Sequence, residues 1–440
     1  MASERIAADT SRGTASAVWH ALAWLAVGNS IGVMLAILLL VPSLNLWLGE
    51  WTYGRWMMVH MNTALFGWAS LPMLAFLFHV YGAGSGRMAH WCRALVWLWS
   101  AALFVGCLSW LSGNSSGKLF LDWTGFARVF FIAALLALWG FLVLALFEQL
   151  RGQGLRGAAL ALKAAGLLAL LAVPAALYVA SSSTGYPHVN PDTGGPTGQS
   201  QLESSLGVVA LLLVVPLGIA ERRVRCRGVF LFAWGALAAE ALLCVMLGRA
   251  DVSHHIPAQW LSLASLLLWI PAVPAYYGAF VWKASTARWR LAFQWWWGGL
   301  VVTGWVLFLP GVLDRVKFTD ALVAHSLMAM AGFLSAFLLF VMTQLLSESD
   351  AWVLTRTGSF VAWNGGVLAY VVLMFVAGGF EAVNPAFTVM PGPMRELIYF
   401  LRLLTGLAML FASLDWWAAA FSLSGHAARA VREPMEVEVA

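Results

Sequence analysis

Apolar residues run along this chain in twelve long blocks separated by short polar stretches: 18–42, 54–82, 90–112, 123–148, 157–181, 202–220, 227–248, 258–282, 290–310, 318–346, 357–380 and 397–424. A bilayer core about 30 Å thick takes about 20 helical residues to cross, and each block is of that order. Backbone polar groups in hydrocarbon must satisfy one another, which leaves helices or a closed barrel, and blocks this long are helices. The pattern therefore predicts an all-α polytopic integral membrane bundle of about 12 transmembrane helices, a single transmembrane domain over 1–440.

Composition agrees with the pattern: 61% of the 440 residues are hydrophobic and 10% charged, with 25 Trp, as expected of a multi-pass protein in a lipid bilayer. The basic residues say which way it lies, because short positive loops stay cytoplasmic. Arg222, Arg223, Arg225 and Arg227 crowd the loop between the sixth and seventh blocks; Arg87 and Arg93, Arg151 and Arg156, Lys283, Arg288 and Arg290, and Arg429 and Arg432 fall on the same side. Both termini, 1–17 and 426–440, are expected in the cytoplasm, and the Gly/Pro-rich loop 182–201, which has no Lys or Arg, outside. This suits a bacterial inner membrane. The net charge of +5 is spread over these loops rather than gathered into a stripe, so no nucleic-acid partner is expected.

Other features bound the reading further. The polar start and long first block indicate a retained helix, not a cleaved signal. Cys92, Cys107, Cys226 and Cys244 have no metal-binding spacing and predict no disulfide. No short repeat of 20–50 residues is evident. Trp51, Trp56, Trp91, Trp110, Trp123, Trp260, Trp289 and Trp363 fall near block ends, where interfacial anchors are expected. Trp295, Trp296 and Trp297 read as lipid contact and interhelical packing.

The candidate chemistry lies in a few polar residues inside the blocks. His60 and His325 each sit about two helical turns inside a block, roughly 10 Å deep at 1.5 Å per residue. An ionisable side chain at that depth is a functional candidate. Two imidazoles at matched depth suit the axial ligation of one or two hemes b, with Arg55 and Arg402 available to the propionates. Glu203 and Glu240 are candidates for a proton relay from the outer side, and His254, His255 and His188 for a second metal, copper or non-heme iron. No ladder of charged residues leads in from the cytoplasm, so proton pumping is not expected.

Three segments carry a resemblance to a known family. Thr52 to Trp68 (TYGRWMMVHMNTALFGW) resembles the second helix of subunit I of the heme–copper oxidases, closest to the cbb-type cytochrome c oxidases and nitric oxide reductases. Phe318 to Gly332 (FTDALVAHSLMAMAG) is similar to the family's tenth helix, and Leu401 to Gly406 (LRLLTG) to the start of its twelfth. The resemblance implies a twelve-helix core, a low-spin heme ligand at His60, a high-spin ligand at His325 and propionate contacts from Arg402. It implies a periplasmic cytochrome c or cupredoxin-like donor and other membrane subunits of a respiratory complex. The chain departs from the family at three places. Leu327 stands where the second tenth-helix histidine belongs, with Met328 and Met330 nearby. The positions matching the copper ligands fall near Pro196 and Met246-Leu247, and the seventh helix lacks the family's tyrosine. The expectation is a heme-binding electron-transfer component. The alternatives are a divergent oxygen or nitric oxide reductase, with its second metal on His254 and His255, and a heme-free structural or transport subunit.

Overall fold

The computed structural model describes residues 2–84, 88–153, 157–223 and 226–429, without the side chains of 2–12, 153 and 424–429. Arg87, Arg156, Arg225, Arg432 and the acidic end from Glu433 lie outside the described residues. Twelve helices are long and apolar enough to cross a bilayer. They are α1 (Gly13–Leu40), α2 (Tyr53–Val80), α3 (Met88–Leu111), α4 (Gly125–Gly152), α5 (Ala158–Ala180), α6 (Gly198–Ile219), α7 (Arg227–Leu247), α8 (Pro257–Gly278), α9 (Ala284–Phe308), α10 (Asp320–Leu345), α11 (Thr357–Val383) and α12 (Pro393–Leu423). The chain is thus an all-helical multi-pass membrane protein. The one ribbon among the described residues pairs β1 (Glu221–Arg222) with β2 (Phe280–Val281).

The two most enclosed spans are α10, 67% buried, and α2, 56% buried, and they carry the two histidines; α5 is only 17% buried and turns most of its surface outward. Exposed Leu, Val and Phe on the outward faces are what lipid contact requires, because burial there comes from acyl chains.

The helices pack as two compact units. The first comprises 1–185, 341–360 and 409–440, the second 186–340 and 361–408, so the division falls within α10, α11 and α12. In the first unit α1 packs on α2 and α3, and α3 on α4. An aromatic cluster fills this core: Trp123 stacks on Phe131 at 4.2 Å and meets Trp110 edge-on. In the second unit α6 packs on α7 and α8, and α9 on α10. There Phe293, Phe337, Phe340 and Tyr277 form the matching aromatic core.

Not all the tryptophans near helix ends are anchors. Trp51 and Trp91 are more than half exposed, as an interfacial belt requires, but Trp110, Trp123, Trp289 and Trp363 are at most 1% exposed. The indole N–H decides this where it finds a partner inside. Trp110 Nε1 donates to the Asp122 carbonyl (2.8 Å) and Trp363 Nε1 to the Ala331 carbonyl (3.0 Å), so the whole ring can leave the interface.

Asp122, in the α3–α4 loop, is 2% exposed and accepts a hydrogen bond from Asn62 Nδ2 at 2.7 Å. Burial raises its carboxyl above the ordinary range, and the Asn62 bond offsets only part of that. Folded, the group holds its proton to higher pH than unfolded, so its contribution to stability declines as pH rises from the ordinary carboxylate range through the raised value. Asp122→Asn is expected to flatten that decline without moving the low-pH end. Thermal midpoints between about pH 4 and pH 8 check it, and an unchanged slope would refute it.

Candidate functional site

His60 and His325 sit in two copies of one local design. Each lies in a helix that passes into a π-helical stretch three residues later, Thr63–Ala69 after His60 and Met328–Leu334 after His325. A serine ends each stretch with an i−5 hydrogen bond, Ser70 Oγ to Leu65 O (2.9 Å) and Ser335 Oγ to Met330 O (2.8 Å). Gly67 and Gly332 each admit an indole, since a Cβ would come within 2.7 Å of Trp24 or Trp296. Those indoles donate to Ser100 Oγ (3.1 Å) and Asn364 Oδ1 (2.9 Å). The residues just before, Trp99 and Trp363, donate to carbonyls inside the π stretches, Phe66 O (2.7 Å) and Ala331 O (3.0 Å). A π turn leaves a carbonyl without its α-helical donor, and an indole N–H supplies one. Helices α1–α3 are thus repeated in α9–α11. The sequence signal is H-x6-G-x2-S, at His60, Gly67 and Ser70 and again at His325, Gly332 and Ser335.

Both rings are held in the same protonation pattern. His60 Nδ1 lies 2.8 Å from the Gly28 carbonyl, which can only accept, so Nδ1 carries the proton and Nε2 the lone pair. His325 Nδ1 lies 3.1 Å from Thr303 Oγ1. The Thr303 hydroxyl has one proton, with Gly299 O (2.8 Å), Leu300 O (3.2 Å) and Met328 Sδ (3.7 Å) also within reach; with that proton on Gly299 O, the nearest, the oxygen accepts from His325 and again leaves the lone pair on Nε2. Both rings pack closely on glycine: a Cβ at Gly32 would stand 2.9 Å from His60 Cε1, and one at Gly304 3.1 Å from His325 Cε1.

His325 opens onto a cavity of about 430 Å³ in the second unit, within the size range of cofactor pockets. Its wall is apolar and aromatic, including Trp297, Trp305, Phe308, Phe333 and Phe337, with Met330 on the same helix as His325 and Lys317 as the cation. His325 is the only His, Cys, Asp or Glu among the described residues lining it.

Neither expected propionate arginine lines this cavity. Arg55 Nη1 donates to Leu111 O (2.9 Å), capping the C-terminal end of α3. Arg402 pairs with Tyr370 Oη and lies 3.9 Å from Asp320, whose backbone N–H donates to Glu381 Oε2 at 2.5 Å. The cation on the cavity wall that sequence reasoning missed is Lys317; it stands just before α10 in a turn, so nothing local distinguishes it.

The two glutamates have different settings. Glu203 is half exposed and paired with Arg249. Gln199 Nε2 joins it (3.0 Å) to Cys244 Sγ (3.3 Å), one helical turn along α7 from Glu240. Glu240 is 6% exposed, and its Oε2 accepts from Trp269 Nε1 at 3.0 Å.

The histidine pair stands apart from His188, which faces Asp251 at 3.5 Å. His254 is fully buried and lies between two carboxylates that the sequence did not single out as its partners: Nδ1 is 3.3 Å from Asp192 and Nε2 3.0 Å from Asp314. Asp314 also lies 3.3 Å from His255 Nε2. The Ser253 hydroxyl, then the His255 and His254 imidazoles, hold the Asp192 carboxyl below the usual range. These groups come from the segments before α6, between α7 and α8, and between α9 and α10, which alternation of the helices brings to one end of the second unit. Thr193, Leu313 and Phe308, beside the two acids and His254, line the His325 cavity.

The chain matches no protein-family model and no curated protein.

Proposed function

We propose that this protein is a heme-b-binding membrane component of a respiratory electron-transfer complex, similar to subunit I of the heme–copper oxidases in fold, and seated in a bacterial inner membrane with both termini cytoplasmic. The observation that carries the reading is His325: a half-buried imidazole fixed with its Nε2 lone pair available, on the wall of an apolar cavity of cofactor size. An apolar, aromatic wall suits an apolar macrocycle, and Lys317 on it would supply a cation for propionates. His60, in the repeated setting with the same tautomer, is the candidate ligand for a second heme. When bound, the group supplies one-electron chemistry. The protein's part is to orient the imidazoles through Gly28 O and Thr303 and to exclude water with aromatic walls.

Electron transfer is favoured over oxygen or nitric oxide reduction because, among the described residues lining the cavity, no second His, Cys, Asp or Glu accompanies His325. Reducing oxygen to water takes four electrons delivered together at one site, and one iron does not hold them. On this reading a periplasmic cytochrome c or cupredoxin-like subunit brings electrons to the outer face.

A reduced-minus-oxidised spectrum of the purified, folded protein tests the proposal; absence of a Soret band ends it. Thr303→Val is expected to leave His325 in place without the acceptor that orients it, and so to weaken retention of the group roughly 10- to 100-fold. Transfer to a competing heme-binding protein measures this, and wild-type retention in the variant would contradict the orienting role.

A further inference from the structure

His254 has a fully buried ring with neither nitrogen in a hydrogen bond, although carboxylate oxygens stand 3.3 Å from Nδ1 and 3.0 Å from Nε2. A buried imidazole normally satisfies at least one nitrogen, and two acids within reach make its failure to do so informative. The distances are right for hydrogen bonds and the directions are wrong. Donors around a common ion show this combination: with metal–ligand bonds of about 2.0–2.2 Å, tetrahedral ligand atoms lie about 3.4 Å from one another and point inward, not at each other. Asp192, His254 and His255 each offer one ligand atom, and these all lie within 4.8 Å of one another.

We propose that Asp192, His254 and His255 bind a divalent transition-metal ion of the zinc class. Asp314 stands beside them as a second carboxylate, with oxygens 3.0 Å from His254 Nε2 and 3.3 Å from His255 Nε2. Two imidazoles and one carboxylate suit zinc better than the harder manganese or magnesium. The ligands come from two separate loops, so the ion ties the segment before α6 to the one between α7 and α8, with Asp314 beside it from a third. His255 and Asp192 are partly exposed, at 52% and 35%, which gives the ion a route in and leaves room for a water as a further ligand. The site does not depend on a heme at His325. It also differs from the donor set first expected, since His188 pairs with Asp251 and two aspartates take part.

The test uses the full chain in detergent, treated with a chelator and titrated with zinc against a chromophoric competitor, with bound metal counted by mass spectrometry and the Soret region recorded in parallel. One zinc per chain is expected, with a raised thermal midpoint and weaker binding of manganese. Asp192→Asn and His255→Ala, at partly exposed positions that a folded protein tolerates, are each expected to weaken binding at least roughly 10-fold, and His188→Ala to leave it unchanged. Absence of stoichiometric zinc in the wild type, full affinity in both ligand variants, or manganese binding more tightly than zinc would each overturn the site. Because the Soret region is read in the same samples, failure of the metal site and failure of the heme reading are separable.

Discussion

Alanine in place of His325 is expected to abolish the carbon-monoxide-responsive part of the reduced spectrum that the heme proposal requires, while the protein stays folded and helical. Among the described residues lining the cavity His325 is the only imidazole, and no Cys, Asp or Glu accompanies it, so a large loss is expected. Removing the ring leaves Thr303 bonded to its own helix at Gly299 O. The structural penalty is then a lost hydrogen bond and a small void, about 1–3 kcal/mol, which the bundle tolerates. His60→Ala, by contrast, is expected to keep the carbon-monoxide response, because its ring lies against α1 and does not line that cavity. Spectra of both variants at equal protein concentration decide the matter. A full response in the His325 variant would remove His325 from the site.

The second large effect is on stability. A Cβ at Gly378 of α11 would stand 2.3 Å from the Ala321 backbone nitrogen and 2.7 Å from Ala321 Cβ on α10. Backbone cannot turn aside as a side chain can, so Gly378→Ala forces the two helices apart. That separation also loosens the start of α10, where Thr319 Oγ1 caps the helix at the Ala321 amide and Glu381 accepts from the Asp320 amide. The cost is about 1–3 kcal/mol or more, in a bundle whose helices associate through close packing at small residues. Gly379, the next residue, has no atom within 4 Å of its Cβ position, so Gly379→Ala is the control and is expected to change little. Thermal midpoints in one detergent compare them; equal midpoints for the two variants would show that the contact is not tight.

How much of the site could be read from residues alone depends on how local each signal is. His60 and His325 were legible because a charge-capable side chain in a long apolar run is conspicuous wherever it lies. The repeat of α1–α3 in α9–α11 was not, because it is carried by a few residues (Trp24 and Trp296, Gly67 and Gly332, Ser70 and Ser335, Trp99 and Trp363) scattered among interchangeable apolar ones. A search for periods of 20–50 residues passes over it. Arg55 and Arg402 were conspicuous as cations near helix ends, but position along the chain does not say which acceptor a long side chain reaches. Here it is a helix C-terminus for one and Tyr370 with Asp320 for the other.

By itself the sequence determined that this chain is a helical membrane protein, where its twelve spans run, and that His60 and His325 lie inside two of them. Those properties follow from hydropathy summed over a local window, since a backbone in hydrocarbon has almost no alternative to the helix. Only the tertiary structure decided the rest: the shared tautomer of the two histidines, Lys317 as the cation on the cavity wall, and the meeting of Asp192, His254, His255 and Asp314. Each of those depends on what a neighbouring helix or loop places within about 3–4 Å, and that is set by how the spans pack against one another, a relation no single segment encodes.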